Sequence, residues 1–451
     1  MLAVAVCSFA LMQSLTVPVL ARIAQEYDAA QSTVTWVLTG YLLAASVATP
    51  IAGRLGDVHG KRRVLVVSLG LLCAGSLLAA VAPSVGVLIA ARVVQGLGGG
   101  VVPLSFGIVR DRLDLPRVPG AIGLLSSLIA VGTGAAVVVA GPIIATFGFA
   151  ALFLLPAAVT GAAAVAARLL LPDPPRGERA RLPLLPAVLL AAWLVALLLG
   201  VTRAPVLGWT SAPVLALLGG AVVVGGLWVR QERRGPVPLI DLRLLARRPV
   251  WTVNVAAMLL GGALYAFVAF APQLHQTPTS AGYGLGATVT GSGLLMLPYS
   301  VATFVLGLLS APLARRFGGP SVAAAGCLVT AAATALLAVA HDAVWQAALV
   351  STLVGVGNGL AFACLTSLLV ASSPPEHSGV LSGMNANLRT IGGSVGTAVV
   401  SSVVTARTTA DGLPVEGGYV AGFLVLAVAL VAAAVVARLV PTPPRTRGGR
   451  L

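Results

Sequence analysis

The chain has 451 residues, 58% of them hydrophobic and 9% charged, and a formal net charge of +15. A soluble domain is about a quarter charged, so this composition excludes a globule that covers itself with polar surface in water. The cations are arginines scattered over short loops, with Lys61 the sole lysine; that is not the packed basic face of a nucleic-acid binder, and no nucleic-acid partner is expected.

In chain order, apolar runs fall at 2–21, 34–53, 64–82, 86–109, 118–144, 149–171, 184–202, 212–229, 250–273, 288–313, 321–340, 343–371, 379–406 and 418–437. Runs of about 20 residues cross a bilayer core of about 30 Å as helices, which satisfy their own backbone hydrogen bonds in lipid. The period-two alternation of a membrane barrel is absent. No Lys or Arg precedes Arg22, so the first run is read as a spanning helix rather than a cleaved leader. Cys7, Cys73, Cys327 and Cys364 all lie within apolar runs without a CxxC spacing and read as small buried hydrophobes.

Charge placement orients the spans. The cations within 54–63, 110–117, 168–181, 230–248, 315–316 and 438–450 fall on one side, against Arg22, Arg203 and Arg407 on the other. The positive-inside rule then places both termini in the cytoplasm, in the plasma membrane of a bacterial cell. The loop around Glu376 has no Lys or Arg and is a local exception. The two most polar loops, 172–183 and 230–249, bracket two spans, giving a six, two, six layout. The expected units are a six-helix bundle at 1–171, two additional helices with their loops at 172–249, a second six-helix bundle at 250–440 and a cytoplasmic tail at 441–451. The halves also repeat. Leu55 and Gly60 recur as Leu313 and Gly318, and Gly96, Gly98 and Gly100 recur as Gly355, Gly357 and Gly359. Nearly equal offsets for two unrelated patterns indicate a duplicated six-helix unit, a common plan of secondary transporters.

Residues 53–65 carry Gly53, Leu55, Asp57, Gly60, Lys61 and Arg62. Glycines permit a tight turn between two helix ends, and Asp57 is the anion in a cationic cluster. In residues and position this segment resembles the signature loop between the second and third helices of the major facilitator superfamily. The resemblance implies a transporter of two rocking bundles. It also implies that Asp57 pairs with basic residues and a helix N-terminus, latching one conformation. In the fourth span, Arg92, Gln95, Gly96 and Gly99 share one helical face and look like the family's helix-four motif, which implies a role for Arg92 in proton coupling. An arginine held by backbone carbonyls is the structural alternative. Gly141 and Pro142 at the end of the fifth span are similar to the family's antiporter motif, with Ala145 and Thr146 in place of its glycine pair; Pro142 is expected to kink the helix.

Span 379–406 carries Asn385, Arg389, Gly392, Gly393 and Gly396 on roughly one face. Small residues let helices approach, and the amide and guanidinium point to a polar lumen. Gln13, Gln95, Asn254, Asn358 and Asn387 are further lumen candidates, each equally able to serve as a packing hydrogen bond. With its extra central pair, the whole chain resembles the fourteen-span drug/proton antiporter branch, all-helical, with two six-helix bundles and two additional helices. One departure matters. That branch carries an aspartate early in helix one, where this chain reads Leu11-Met12-Gln13-Ser14, with Met12 at the acid's place. The acidic residues stand at 26, 28, 57, 111, 114, 173, 178, 232, 241, 342, 376, 411 and 416, none near a span centre. Carboxylates are the usual intramembrane proton carriers, so Asp57 and Asp111 are the acids left close to a motif. Substrates are expected to bind through apolar, aromatic and amide contacts, or as anions drawn to Arg92 or Arg389.

No phosphate-binding loop follows a strand, and His59, His275, His341 and His377 lie in loops or near span ends without ligand spacing. No enzyme activity, cofactor or metal is expected. The expected function is export of small hydrophobic or amphiphilic compounds, drug-like in character, by a monomer coupled to protons. A facilitator or metabolite importer on the same fold is the alternative. A non-transporting sensor or scaffold is a remote one, since no loop is long enough for a partner domain.

Overall fold

The computed structural model describes residues 1–16, 19–29, 31–114, 116–171, 183–235, 238–374, 378–407 and 413–441. The first half contains α1 (Leu2–Ser14), α2 (Leu20–Glu26), α3 (Gln31–His59), α4 (Lys61–Ala80), α5 (Val85–Leu97), α6 (Val101–Arg112), α7 (Val118–Phe147) and α8 (Ala151–Leu170). The central pair is α9 (Leu184–Leu207) and α10 (Ala212–Arg234), followed by the short α11 (Leu242–Leu245). The second half contains α12 (Arg248–Gln276), α13 (Val289–Phe317), α14 (Gly319–Val339), α15 (Val344–Ser372), α16 (Ser378–Val404) and α17 (Glu416–Arg438).

Among the described residues, eleven crossings are individually long and apolar enough to span a membrane, Val85–Arg112 counting as one. Helices α1, α7 and α16 stand where the remaining three are expected; Asn385, Asn387 and Arg389 lower the hydropathy of α16. Two expected spans are not single helices. The run 2–21 is split between α1 and α2, and the sequence there carries Pro18, which has no N–H to donate to a helix. The run 86–109 breaks at three glycines, where Gly98 N–H donates to Gln95 O and Gly99 N–H to Gly96 O, both at 2.9 Å. These are i to i−3 bonds, tighter than those of an α-helix.

Helix α3 packs on α5, α4 on α8 and α5, and α1 on α7; in the second half α12 packs on α16, and α14 on α15 and α17. The halves meet along two seams, α3 against α16 and α7 against α13. The central pair lies outside this arrangement, α9 packing on α10, α3 and α16. At one end of α9, Arg203 stacks over the ring of Trp36 at 4.9 Å, and beyond it Trp209 Nε1–H donates to Ser402 Oγ at 2.8 Å. The pair therefore touches both halves.

The sequence repeat is also a repeat of contacts. Gly96 abuts the backbone of Tyr41 and the methyl of Ala44, and Gly355 abuts Tyr299 and Ala302 in the same way. Gly98 lies against Ser68 and Leu72, and Gly357 against Gly326 and Thr330. Each partner in the second half is 258 positions beyond its counterpart (299 − 41, 302 − 44, 326 − 68, 330 − 72). A Cβ on Gly96 would stand 2.5 Å from the Tyr41 carbonyl oxygen, so these helix pairs close only with glycine there.

Candidate functional site

The signature residues form a junction between the halves. Gly60 has φ 94°, a backbone region open to glycine, and turns the chain from α3 into α4; Gly318, its repeat partner, has φ 87° between α13 and α14. The turn sets Asp57 at the end of α3 beside Lys61 at the start of α4, with the two charges 3.5 Å apart. The Asp57 side chain is 1% exposed. Its carboxylate accepts from Gly379 N–H at 3.2 Å and from Val380 N–H at 3.0 Å. These donors belong to the first turn of α16, where helix N–H groups lack intrahelical acceptors and the helix dipole favours an anion.

Lys61 Nζ also donates to Ser378 Oγ at 3.1 Å and pairs with Asp111 at 2.8 Å. Arg62 donates to the carbonyl of Arg168 near the end of α8. Leu55 is half-buried. The backbones touch here: a Cβ on Gly53 would lie 2.5 Å from Gly379 O. Asp57, Lys61 and Asp111 are thus brought together, while Arg92 lies in a separate cluster.

Arg92, on α5, is 1% exposed. Its guanidinium donates to Val37 O at 3.2 Å, Met12 O at 3.2 Å, Gln95 Oε1 at 2.7 Å and Thr16 Oγ1 at 3.1 Å, and lies 4.4 Å over the Tyr41 ring. Four of its five N–H groups are satisfied, every one by a neutral acceptor. Gln95 Nε2–H donates in turn to Ser76 Oγ at 2.9 Å. A cavity of about 10 Å³, room for about one water, is lined by Met12, Thr16, Ser76, Arg92, Gln95, Phe153 and neighbours. Sequence reasoning did not name Thr16, Tyr41 or Ser76. Thr16 stands one helical turn beyond Met12, a signal present in the chain. Tyr41 and Ser76 carry none, because only packing brings them to Arg92. Gln13 is half-buried outside this cluster; the carbonyl of Met12 is what reaches Arg92.

In the second half, Asn385 Nδ2–H donates to Asn254 Oδ1 at 2.9 Å, a pair joining α16 to α12. Asn358 Nδ2–H donates to Tyr299 Oη at 3.0 Å. Arg389 stacks over the ring of Phe362 at 4.3 Å, with Tyr265 and Tyr299 close enough to act on its charge. The Tyr265 ring packs on Gly393 of α16, 2.7 Å from where a Cβ would stand. Pro142 lies inside α7 and is exposed; the surroundings of Gly141 fall outside the described residues. The close approach of α1 to α7 is instead at Gly132, where a Cβ would stand 2.5 Å from Cys7 O.

Comparison with known proteins agrees with this architecture. Residues 2–397 match the Major Facilitator Superfamily. The chain is 28% identical over 394 residues to the tetracenomycin C resistance and export protein of Streptomyces glaucescens, covering 85% of this chain and 71% of that protein. It is 28% identical over 427 residues to the uridine/deoxyuridine transporter of Lactococcus lactis, covering 91% and 87%. The crystal structure of the E. coli fucose:proton symporter superposes with a TM-score of 0.67 at 14% identity, over 98% of both chains. A signature loop latched across two repeated bundles, with a family match over most of the length, places this chain in the major facilitator superfamily of membrane transporters.

Proposed function

We propose that this protein is a secondary active transporter that exports small hydrophobic or amphiphilic, drug-like compounds by proton antiport with alternating access. The observation that carries the reading is the junction at Asp57. A carboxylate of the first half caps a helix of the second, so one end of the molecule is held shut by a few charge-assisted bonds that rocking of 1–171 against 250–440 breaks and remakes. Gly53, Leu55, Asp57, Gly60, Lys61 and Arg62 are then the conformational latch. Arg92, Asp57 and Asp111 are the groups for proton coupling. Gln13, Gln95, Asn254, Asn358, Asn385 and Arg389 border the substrate path, and Gly141 and Pro142 serve the export cycle. The cation-rich loops put the latched end, both termini and the tail 441–451 in the cytoplasm. The unit is a monomer, since one chain supplies both halves. The resistance and export function named for the Streptomyces relative supports this direction.

A facilitator or metabolite importer is the second reading. It is favoured by the lack of an acidic residue near any span centre and by the Lactococcus uridine transporter. Proton flux separates the two. In inside-out vesicles energised to an acid interior, cationic, neutral and anionic amphiphiles are added while the pH gradient is followed. Compound-dependent proton release that Asp57→Asn and Arg92→Ala both lose supports antiport. A gradient no compound disturbs, in vesicles where labelled compounds still equilibrate, overturns antiport and leaves the facilitator.

A further inference from the structure

Arg389 sits near the middle of α16, whose 27 residues run Ser378–Val404. It differs from Arg92 in one respect. The donors of Arg92 are spent on protein acceptors, whereas Arg389 has no hydrogen-bond or ion-pair partner among the described residues and stacks over the Phe362 ring. It is packed within the bundle yet remains partly accessible, so it borders an internal space and not the outer surface. A guanidinium in a low-dielectric interior is costly unless something accepts its N–H groups, and no described residue supplies an acceptor to Arg389.

Nor does any described carboxylate pair with it. The acidic residue nearest to Arg389 in the sequence is position 376, 13 residues away (389 − 376). The two buried cations therefore make the middle of the bundle positive, and in low dielectric that field rejects cations and draws anions.

The walls specify the rest of the ligand. The Phe362 ring faces the guanidinium at 4.3 Å, the Tyr265 ring packs on Gly393 one turn beyond Arg389, and Tyr299 is bonded to Asn358 one turn before Phe362. The backbone is cut to hold this side chain. Gly261 leaves the room that Arg389 fills, a Cβ there meeting Arg389 Cγ at 2.6 Å, and Gly393 makes room for the Tyr265 ring at 2.7 Å.

We infer that the space beside Arg389 in the second half takes aromatic organic anions, a flat apolar body bearing one sulfonate, carboxylate or phenolate, with Arg389 as the charge partner and the Phe362, Tyr265 and Tyr299 rings as its walls. The inference rests on the transporter reading above, and it is independent of direction and coupling. Binding without a gradient tests it, so that loss of proton antiport and loss of anion preference are separate results.

The probes are anilinonaphthalene sulfonate and N-phenylnaphthylamine, which share an aromatic body and differ in the sulfonate, with ethidium as the cation. Fluorescence titration is made on the full chain in lipid nanodiscs, with empty nanodiscs subtracted. The wild type is expected to bind the sulfonate at least about tenfold more tightly than the neutral amine, and ethidium least. Arg389→Gln is expected to lose about tenfold in affinity for the sulfonate, with affinity for the neutral amine unchanged, which also reports an intact fold. Arg389→Lys retains the charge and is expected to recover part of the loss. Equal affinity for the sulfonate and the amine, tighter binding of ethidium, or an Arg389→Gln loss that falls on both naphthalene probes alike overturns the inference.

Discussion

Gly53 of α3 and Gly379 of α16 meet backbone to backbone, with no room for a single methyl between them. Next to this contact Asp57 caps the same helix end, so steric closeness and charge act at one place. Gly53→Val is expected to hold this end open and lower the initial transport rate in vesicles by about tenfold or more, with insertion and expression retained. Asp57→Asn keeps an acceptor and loses the charge. Hydrogen bonds to charged groups contribute about 1.5–3 kcal/mol, which is about a tenfold to hundredfold shift toward the open end. Cysteine labelling at Ser382→Cys in a variant without native cysteines reads that shift as faster modification. Unchanged labelling would sink the latch.

Asp111 and Asp57 share Lys61 but differ in exposure. The Asp111 side chain is 37% exposed against 1% for Asp57, and exposed pairs contribute about 0–1 kcal/mol. Asp111→Asn is therefore expected to change labelling and transport by less than about fivefold, while Asp57→Asn has the larger effect. Equal effects would place the closing charge on Lys61 rather than on the cap of α16.

Arg92 holds α1, α3 and α5 together through backbone carbonyls and the side chains of Thr16 and Gln95. Arg92→Ala removes the bridge and leaves the buried Gln95 side-chain oxygen without its guanidinium donor, at about 1–3 kcal/mol where water cannot enter, and a fall in melting temperature of several degrees is expected. Arg92→Lys recovers little, because a single ammonium cannot reproduce the planar fork. Met12 and Leu15 both line the adjoining cavity. Met12→Asp puts a carboxylate on the residue whose own carbonyl already receives the guanidinium, and is expected to melt higher than Leu15→Asp. The reverse order would show that the cluster has no place for a counter-ion.

In the central pair, the rings of Trp193 and Trp228 stack at 5.4 Å and 8°. The Trp228 Nε1–H donates to Glu232, which also accepts from Leu239 N–H at 2.9 Å and Ile240 N–H at 3.4 Å. One buried carboxylate thus fixes the chain that links α10 to α12. Glu232→Gln is expected to cost about 1–3 kcal/mol and to show as faster proteolysis near 235–247, with substrate affinity unchanged. A change in affinity with no change in proteolysis would move the pair into the transport path.

Sequence alone determined that the chain is helical, spans a membrane many times, is built of two repeated units around an extra pair, and carries a superfamily loop at 53–65. Those features are local or periodic. A run of about 20 apolar residues has one stable form in lipid, and glycine spacing repeats whether or not the contacts are known. The tertiary structure decided which polar groups meet. Asp57 and its acceptor-poor partner at Gly379 are 322 residues apart, Arg92 takes Thr16 from 76 residues away, and Asn385 meets Asn254 across 131 residues. In the sequence Arg92 and Arg389 are equivalent, each a cation inside an apolar run. Packing alone separates them, giving one four protein acceptors and leaving the other with none among the described residues, because hydrogen-bond satisfaction depends on which helices touch and hydropathy does not.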